Sequence, residues 1–314
     1  MIPPPTTIVA ALSCLAISTG VYYAVRPPPR QTQIRKRDER VLVIGASSGI
    51  GRSIAHEYAA RGANVCVAGR RAELLKKVLE ECDALGEQGK STHMAADFTN
   101  VEDLVRLRQF VEAEWGGIDT LIVAAGVSAL QPLMNVAGIH DPNADATSEG
   151  ITHAVETAKK AMNGNYFGPL GAAVAFIPLL TRTSPSPSIL LVSSLAAVIP
   201  APSRTLYAST KAASLVLYQA LSIEHPSIRF SAILPYTVEG DFRASAVDAG
   251  PVREADPSKH GLKREVVARR CVQAVDAGEK AVFLPAFYRA GLFLYWIFPA
   301  FVEWRARKKY GFTT

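Results

Sequence analysis

Cysteine is scarce in this chain and follows no metal-binding or disulfide pattern. Only four of the 314 residues are cysteine, at positions 14, 66, 82 and 271, and none forms a CxxC pair or has metal-ligand spacing. Cys66 lies in an apolar run typical of a buried strand, where a thiol behaves as a small hydrophobic group. The sequence therefore offers no disulfide framework and no metal site, and its cysteine usage fits a reducing compartment.

Basic residues interleaved with aromatic residues, the pattern of a nucleic-acid groove, are also absent. The net charge is +6, and much of the positive charge lies in two clusters, at 26–40 and 305–309. Each cluster flanks an apolar stretch, which is typical of charge beside a membrane. We therefore expect membrane lipid as a partner and no nucleic acid.

Charge is missing altogether from residues 6–25, a stretch long enough to cross a bilayer as a helix. A cleaved signal peptide is the alternative, but its positive charge would precede the apolar core, whereas here the charge follows. By the positive-inside rule, these flanking residues place the remaining chain in the cytosol: Arg26, Arg30, Arg35, Lys36 and Arg37. We expect residues 1–39 to be a single-pass anchor in a membrane, that of the endoplasmic reticulum, followed by a basic and proline-rich linker.

Residues 40–285 alternate short apolar runs with longer stretches of helical periodicity. Seven runs are rich in branched residues: RVLVIG, NVCVAG, STHMAAD, DTLIVAAG, SILLVSS, IRFSAIL and KAVFL. Strands that alternate with helices predict a parallel sheet covered on both faces. The expected fold is one α/β domain, a doubly wound Rossmann-type sheet of about seven strands with helices on both faces.

The C-terminal segment, residues 286–314, combines aromatic residues with a basic cluster. Its uncharged stretch of about 13 residues is too short to span a bilayer. Tyr295, Trp296 and Trp304, followed by the basic cluster at 305–309, are typical of an amphipathic segment in the membrane interface. A helix that caps the domain and a contact between two copies of the chain remain alternatives.

The first strand runs directly into GASSGIGRSIA, which places Gly45, Gly49 and Gly51 between a strand and a helix. In that position, glycines let backbone N–H groups and a helix N-terminus approach a pyrophosphate, which side chains would block. Further along, Tyr207 and Lys211 stand four residues apart in a helical pattern. The lysine charge would lie beside the phenol and favour its phenolate form.

The G-x-x-x-G-x-G spacing, together with Tyr207 and Lys211, resembles the short-chain dehydrogenase/reductase family over roughly residues 40–250. The resemblance implies a nicotinamide cofactor and the following cofactor-binding residues: Gly45, Ser47, Ser48, Gly49, Ile50, Gly51, Asp97, Gly126, Tyr207, Lys211, Pro235 and Val238. At the end of the second strand, Gly69 replaces the acidic residue that would bind a free ribose hydroxyl, and Arg70 follows. This substitution predicts NADP(H) rather than NAD(H).

The family pattern also implies a catalytic set of Asn165, Ser194, Tyr207 and Lys211. Asn165 lies in N-x-x-G, and Ser194 precedes Tyr207 by 13 residues. Tyr207 would exchange the proton of the reacting oxygen, Lys211 would support it and hold the ribose, and Ser194 would donate a hydrogen bond to the substrate. Asn165 would anchor a water molecule.

Several positions depart from the family pattern. Val123 and Ala124 replace the two asparagines usual after the fourth strand. After the sixth strand, Tyr236 stands where glycine is usual, and Gly240 where threonine is common. Ile44 replaces a threonine before the cradle. None of these changes removes a catalytic group, but Tyr236 makes the geometry of its loop less predictable.

These features predict an NADP(H)-dependent oxidoreductase that interconverts a carbonyl and an alcohol on a lipophilic small molecule. The lipophilic substrate is inferred from membrane attachment, as in similar membrane-anchored family members. A catalytically silent NADP(H)-binding scaffold or redox sensor is the alternative, and a membrane-shaping protein is a third. The reaction direction stays open, and a homodimer is possible on this pattern.

Overall fold

The domain is a seven-stranded, wholly parallel sheet. The computed structural model describes residues 30–86, 89–141, 143–248 and 260–312. The strands are β1 Arg40–Ile44, β2 Asn64–Gly69, β3 Ser91–Ala95, β4 Thr120–Val123, β5 Ser188–Val192, β6 Arg229–Pro235 and β7 Ala281–Leu284. Their order is β3-β2-β1-β4-β5-β6-β7, and every neighbouring pair is parallel. The predicted α/β sheet and all seven of its strands are confirmed.

Helices connect the strands and cover both faces of the sheet. They are α1 Gly49–Ala60, α2 Ala72–Leu85, α3 Val101–Trp115, α4 Leu133–Val136, α5 Ser148–Met162, α6 Gly168–Thr183, α7 Thr205–Glu224, α8 Arg264–Ala277, α9 Tyr288–Ile297 and α10 Pro299–Tyr310. A five-residue π-helical turn, Asn163–Phe167, joins α5 to α6.

Alternation along the strands separates two hydrophobic cores. On β1, Val41 and Val43 pack with α1, α2 and α8, whereas Leu42 and Ile44 pack with α3, α6 and α7. Successive side chains of a strand point to opposite faces, so a sheet covered on both sides has apolar residues at every position. This arrangement explains why the strands appear in the sequence as continuous apolar runs.

The strand order reverses beside β1, which lies between β2 and β4. In doubly wound sheets, a crevice opens at the carboxyl ends of the strands where the order reverses. The loops that follow β1, β4, β5 and β6 meet there. This edge of the sheet is therefore where a ligand site is expected.

The opposite edge of the sheet is fastened by Arg30. This side chain is 2% exposed and is ion-paired with the buried carboxylate of Glu39. It also donates to the carbonyl oxygens of Ser186 (3.0 Å) and Asp119 (3.0 Å), which precede β5 and β4. Three residues of the predicted linker, Arg30, Ile34 and Glu39, are thus buried against the domain.

The predicted anchor, residues 6–25, lies outside the described residues. Within the part of the chain that the structure describes, no helix is both long enough and apolar enough to cross a bilayer.

Glu39 is the counter-charge of the buried Arg30, and it shares Arg61 with Asp276. Glu39→Gln should therefore leave the Arg30 guanidinium without its buried counter-charge, while Arg61 keeps Asp276. We expect the free energy of unfolding to fall by about 3 kcal/mol or more, measured by denaturant titration. Glu81→Gln is the matched control, because Glu81 pairs with Arg52 at the surface, and it should cost less than about 1 kcal/mol. Equal losses from the two variants would contradict the assigned role of the buried network.

Candidate active site

The glycines after β1 form a cradle in which side chains do not fit. A Cβ atom on Gly45 would lie 2.4 Å from the Ala125 nitrogen, and one on Gly51 would lie 2.3 Å from the Gly45 oxygen. Gly45 and Gly49 also have positive φ angles of 91° and 59°, which glycine adopts readily. The space beside Gly49 is open: apart from its chain neighbours and its own helix backbone, no atom of the described residues lies within 4 Å of its ideal Cβ position.

Helix α1 begins at this opening without a side-chain cap. Ser48 is the N-cap residue but makes no capping hydrogen bond, and the first turn has no acidic residue. The first N–H groups of such a helix lack intrahelical partners and carry partial positive charge. The open, uncapped N-terminus and the glycine cradle therefore fit the pyrophosphate of a dinucleotide.

Two consecutive arginines follow β2 at the side of the cradle. Arg71 donates to the hydroxyl oxygens of Ser47 (2.8 Å) and Ser48 (2.7 Å), while Arg70 is exposed; both line the cavity. The sequence predicted Arg70 as the cofactor residue and missed the contact of Arg71. The repeated arginine was the available signal for it.

Asp97 lies beside the cavity rather than on its wall. Its carboxylate accepts from the backbone N–H (3.0 Å) and the hydroxyl (2.8 Å) of Thr99. Ala96, Phe98 and Thr99 line the cavity, whereas Asp97 does not.

Asn165 connects the loop after β4 to α7. Its Oδ1 accepts from the Val127 N–H (2.9 Å), and its Nδ2 donates to the Val127 oxygen (3.0 Å) and to Thr210 Oγ1 (3.1 Å). The π-helical turn that carries it widens the helix locally, and Asn165 is fully buried. A Cβ atom on Gly126 would lie 2.8 Å from Asn165 Oδ1 and 3.2 Å from Lys211 Nζ, so this position requires glycine.

Tyr207 and Lys211 lie one turn apart on α7, and both are buried. The Tyr207 ring has the Arg204 guanidinium carbon 5.3 Å from its centroid and the Phe242 ring in an edge-on contact at 5.9 Å. Lys211 Nζ donates to the Val192 oxygen at 3.0 Å. Burial lowers the pKa of Lys211 to about 8, because a cation loses hydration there.

Two serines follow β5. Ser194 is half-buried and its Oγ accepts from the Ala196 N–H at 3.2 Å. The Oγ of Ser193 is buried and has no hydrogen-bond partner among the described residues. Both serines line the same cavity as Tyr207, so the structure keeps a hydroxyl donor on the wall that carries the phenol.

These residues share one cavity of about 1120 Å³, which exceeds the usual size of a single small-molecule site. All of the predicted site residues except Asp97 and Asn165 line it, including Pro235 and Val238. The cavity is large enough for a dinucleotide beside a second compound. The Tyr207 phenol, which lines the cavity together with the Lys211 ammonium and the Ser194 hydroxyl, can exchange a proton with an oxygen of that compound.

The C-terminal helices α9 and α10, which we call the C-terminal hairpin, close one side of the cavity. Val302, Arg305 and Lys308 of α10 line it. Tyr236, which replaces the usual glycine, stacks on Tyr288 of α9 at 5.5 Å with an interplanar angle of 12°. Sequence reasoning missed this contact, because nothing near Tyr236 indicates a partner 52 positions away.

Comparison with known proteins gives a consistent family. Residues 39–249 match the family model described as short chain dehydrogenase. The chain is 31% identical over 225 residues to a short chain dehydrogenase of Pseudocercospora fijiensis (71% of this chain, 66% of that one). It is 29% identical over 279 residues to 11-beta-hydroxysteroid dehydrogenase A of Sesamum indicum (86% and 75%).

An alcohol dehydrogenase from Thermococcus sibiricus, solved in complex with 5-hydroxy-NADP, has a similar fold. Its TM-score is 0.63 at 23% identity, covering 78% of this chain and 95% of that one. The chain spans less than two thirds of the length of several curated relatives that it matches.

The lowered pKa of Lys211 predicts a pH-dependent stability. In the unfolded chain the lysine keeps its proton up to about pH 10.5, whereas in the folded protein it loses the proton above about pH 8. Burying the charge therefore costs its full free energy below pH 8. This cost disappears as the pH rises toward 10.5. In nucleotide-free protein, we expect Lys211→Met to be more stable than the parent at pH 7 by about 1–2 kcal/mol after loss of its hydrogen bond. That difference should shrink by pH 10.

Denaturant titrations at pH 7, 8, 9 and 10 measure this difference, and Lys76→Met, which removes an exposed lysine, supplies the baseline. A Lys211→Met difference that stays constant from pH 7 to pH 10 would show that the lysine is not buried as a cation.

Proposed function

Because the chain belongs to the short chain dehydrogenase family of oxidoreductases, which act on CH–OH and C=O groups, we propose that it is an NADP(H)-dependent enzyme for a lipophilic carbonyl compound. One observation carries this proposal. The phenol of Tyr207, the ammonium of Lys211 and the hydroxyl of Ser194 line the same cavity as the glycine cradle.

The side chains of the cavity have distinct tasks. Tyr207 gives a proton to the substrate oxygen in reduction or takes it in oxidation. Lys211, one helical turn away, holds a positive charge that favours the phenolate, and Ser194 donates a hydrogen bond to the same substrate oxygen. Asn165 fixes the loop after β4 against α7. When bound, the nicotinamide supplies or accepts the hydride.

The preference for NADP(H) is supported by the end of β2. Gly69 presents no carboxylate there, and the guanidinium groups of Arg70 and Arg71 line the cavity beside the cradle serines. A phosphate on the adenosine ribose would find these guanidinium groups, and guanidinium is a strong partner for phosphate. A free ribose hydroxyl would lack its usual acidic partner.

A membrane location is supported by the surface of the C-terminal hairpin. Trp296 is 78% exposed, and the large apolar side chains exposed with it on the hairpin are Phe293, Leu294, Ile297, Phe298, Phe301 and Trp304. Such a patch beside Arg305, Arg307 and Lys308 suits the headgroup boundary of a bilayer. We place the catalytic domain at the cytosolic face of a membrane, that of the endoplasmic reticulum, where a lipophilic substrate reaches the cavity from the lipid.

The reductase is tested with the full chain in a mild neutral detergent. A shortened chain without the predicted anchor and linker, residues 1–39, would also lack Arg30, which is buried in the domain. We expect oxidation of NADPH in the presence of lipophilic ketones and aldehydes, and weaker activity with NADH. Tyr207→Phe should lower kcat at least about a hundredfold while keeping the dissociation constant of NADPH. Tight NADPH binding without turnover of any compound would favour the silent scaffold or redox sensor, and absence of nucleotide binding would overturn the cofactor assignment.

The same preparation tests the arginine pair. Arg70→Ala and Arg71→Ala should each weaken NADPH binding and leave NADH binding unchanged, as measured by nucleotide fluorescence. Arg182→Ala is the matched control, because Arg182 pairs with Glu112 near the opposite edge of the sheet. Equal weakening of both nucleotides would show that the arginines do not recognise the phosphate.

The membrane surface is tested by tryptophan fluorescence of the full chain reconstituted in vesicles. Lipids brominated near the headgroup should quench Trp296 and Trp304, which are exposed on the hairpin, and should spare Trp115 at the end of α3. Single-tryptophan variants, made by Trp→Phe changes at the other two positions, separate the signals. If Trp296 is not quenched, the proposal that the hairpin surface contacts the membrane is wrong. Crosslinking between the hairpins of two chains would then assign the exposed apolar surface to a homodimer.

A further inference from the structure

The loops that follow β4 and β6 are joined beside the cavity by a short pairing of their backbones. Ser128 and Ala246 form a parallel β-bridge. The Ser128 N–H donates to the Ser245 oxygen at 3.3 Å, and the Val247 N–H donates to the Ser128 oxygen at 2.9 Å. Ser128 is fully buried. Two loops that leave separate strands are therefore held against each other.

The buried carboxylate of Asp248 completes this pairing, which we call the loop clasp (residues 128–131 and 245–248). Asp248 is 4% exposed. Its oxygens accept from the Leu130 N–H at 2.9 and 2.7 Å and from the Gln131 N–H at 2.7 Å. Hydrogen bonds to an ionised carboxylate are about twice as strong as those between neutral groups. Loss of the Asp248 carboxylate is therefore the change that should weaken the clasp most.

The loop clasp fixes one end of the turn that carries Phe242. This turn is the 3-10 helix Asp241–Ser245, and its last residue belongs to the clasp. On the other side of the turn, the Glu239 N–H donates to the Leu262 oxygen at 3.0 Å. The turn is thus held from both sides.

The turn places an aromatic ring next to the phenol of the site. The rings of Phe242 and Tyr207 meet edge-on with their centroids 5.9 Å apart, and both residues line the cavity. Phe242 keeps 42% of its surface exposed. An apolar group that covered this ring would gain binding free energy, because apolar surface would leave water.

We propose that Phe242 is a specificity-determining residue that binds an apolar group beside the reacting carbonyl, and that Asp248 is a positioning residue that holds Phe242 there through the loop clasp. This inference rests on the proposed function, since it concerns the substrate of the same site. It gives the enzyme a preference for ketones with a bulky apolar group, such as an aromatic ring, on the carbonyl carbon.

A merely structural role for the clasp makes a different prediction. Loss of Asp248 would then lower the stability of the protein and lower kcat for all ketones alike. A positioning role instead raises KM for the ketones that contact Phe242 and leaves the dissociation constant of NADPH unchanged. The two roles are therefore separable by the size of the group beside the carbonyl.

The first test uses the full chain in neutral detergent and ketones that share one long alkyl chain. The second group on the carbonyl carbon is methyl, isopropyl or phenyl. We expect KM to fall at least about tenfold from the methyl to the phenyl ketone, because the larger group covers more of Phe242. Phe242→Ala should remove this difference by raising KM for the phenyl ketone, whereas Phe293→Ala, which removes an exposed ring of α9, should preserve it. An equal effect of Phe242→Ala on all three ketones would overturn the specificity role.

The same KM ratio tests Asp248. Asp248→Ala should raise KM for the phenyl ketone, and Asp248→Asn, whose amide oxygen still accepts a hydrogen bond, should keep part of the preference. In the double variant with Phe242→Ala, KM should rise no further than in Phe242→Ala alone, because both changes remove one contact. Two effects that multiply would show that Asp248 does not act through Phe242.

Hydrogen exchange tests the loop clasp without any substrate. In Asp248→Ala, the amides of Leu130 and Gln131 and those of residues 241–247 should exchange faster than in the parent. Asp141→Ala is the matched control, because it removes a carboxylate that accepts a backbone N–H in an exposed loop (2.9 Å, from Asn143). Unchanged exchange in Asp248→Ala would overturn the clasp.

Binding of the product alcohols separates this inference from the proposed enzyme. With NADPH present, the phenyl alcohol should bind the parent more tightly than the methyl alcohol, and Phe242→Ala should remove the difference. Equal binding of the two alcohols to the parent would overturn the role of Phe242. Selective binding that requires Phe242, without turnover of any ketone, would leave the Phe242 site standing and refute the proposed enzyme.

Discussion

The active side of this molecule depends on a backbone turn that has no room for a side chain. At Gly126, the chain leaving β4 passes so close to Asn165 that a methyl group would collide with its Oδ1, and the same methyl group would make a tight contact with Lys211 Nζ. This contact brings the β4 loop, the π-helical turn and α7 to one point. Because Gly126 has no side chain, the turn leaves room for the Lys211 ammonium at the cavity wall. Tyr207, one helical turn earlier on α7, lines the same cavity.

Lys211 is buried, and no carboxylate pairs with it in the part of the chain that the structure describes; this shapes the energetics of the site. Its described hydrogen bond goes to a carbonyl oxygen, and its pKa falls. A charge kept in that state costs folding free energy, which anionic ligands at the site would offset. The cradle is arranged similarly, because α1 begins with uncapped N–H groups. Both features favour a negatively charged ligand before any particular ligand is considered.

Local patterns in the sequence were enough to predict the sheet and much of the site. Continuous apolar runs define buried strands, glycines between β1 and α1 define a cradle, and a four-residue spacing places Tyr207 and Lys211 on one helical face. The contacts of Arg30, Arg71, Arg204 and Tyr236 were not predictable in this way. Each depends on a partner or a direction fixed by tertiary packing. In the sequence, Arg30 is one more basic residue of the linker, and only the fold places it against Glu39 and the start of β4. Tyr236 is an unexplained replacement of glycine in the sequence, and only the fold stacks it on Tyr288.

The burial of Arg30 at the amino edge of the sheet has a consequence for orientation. The C-terminal hairpin lies at the carboxyl edge, and a five-residue strand alone separates the edges by about 17 Å. Only residues 26–29 separate Arg30 from the predicted anchor, and the five Cα–Cα steps from residue 25 to residue 30 reach at most about 18 Å. With both ends at one bilayer, a domain that stood upright on its carboxyl edge would need this linker fully extended. Strands inclined toward the membrane plane would relieve the linker, and the cavity would then open sideways along the lipid surface.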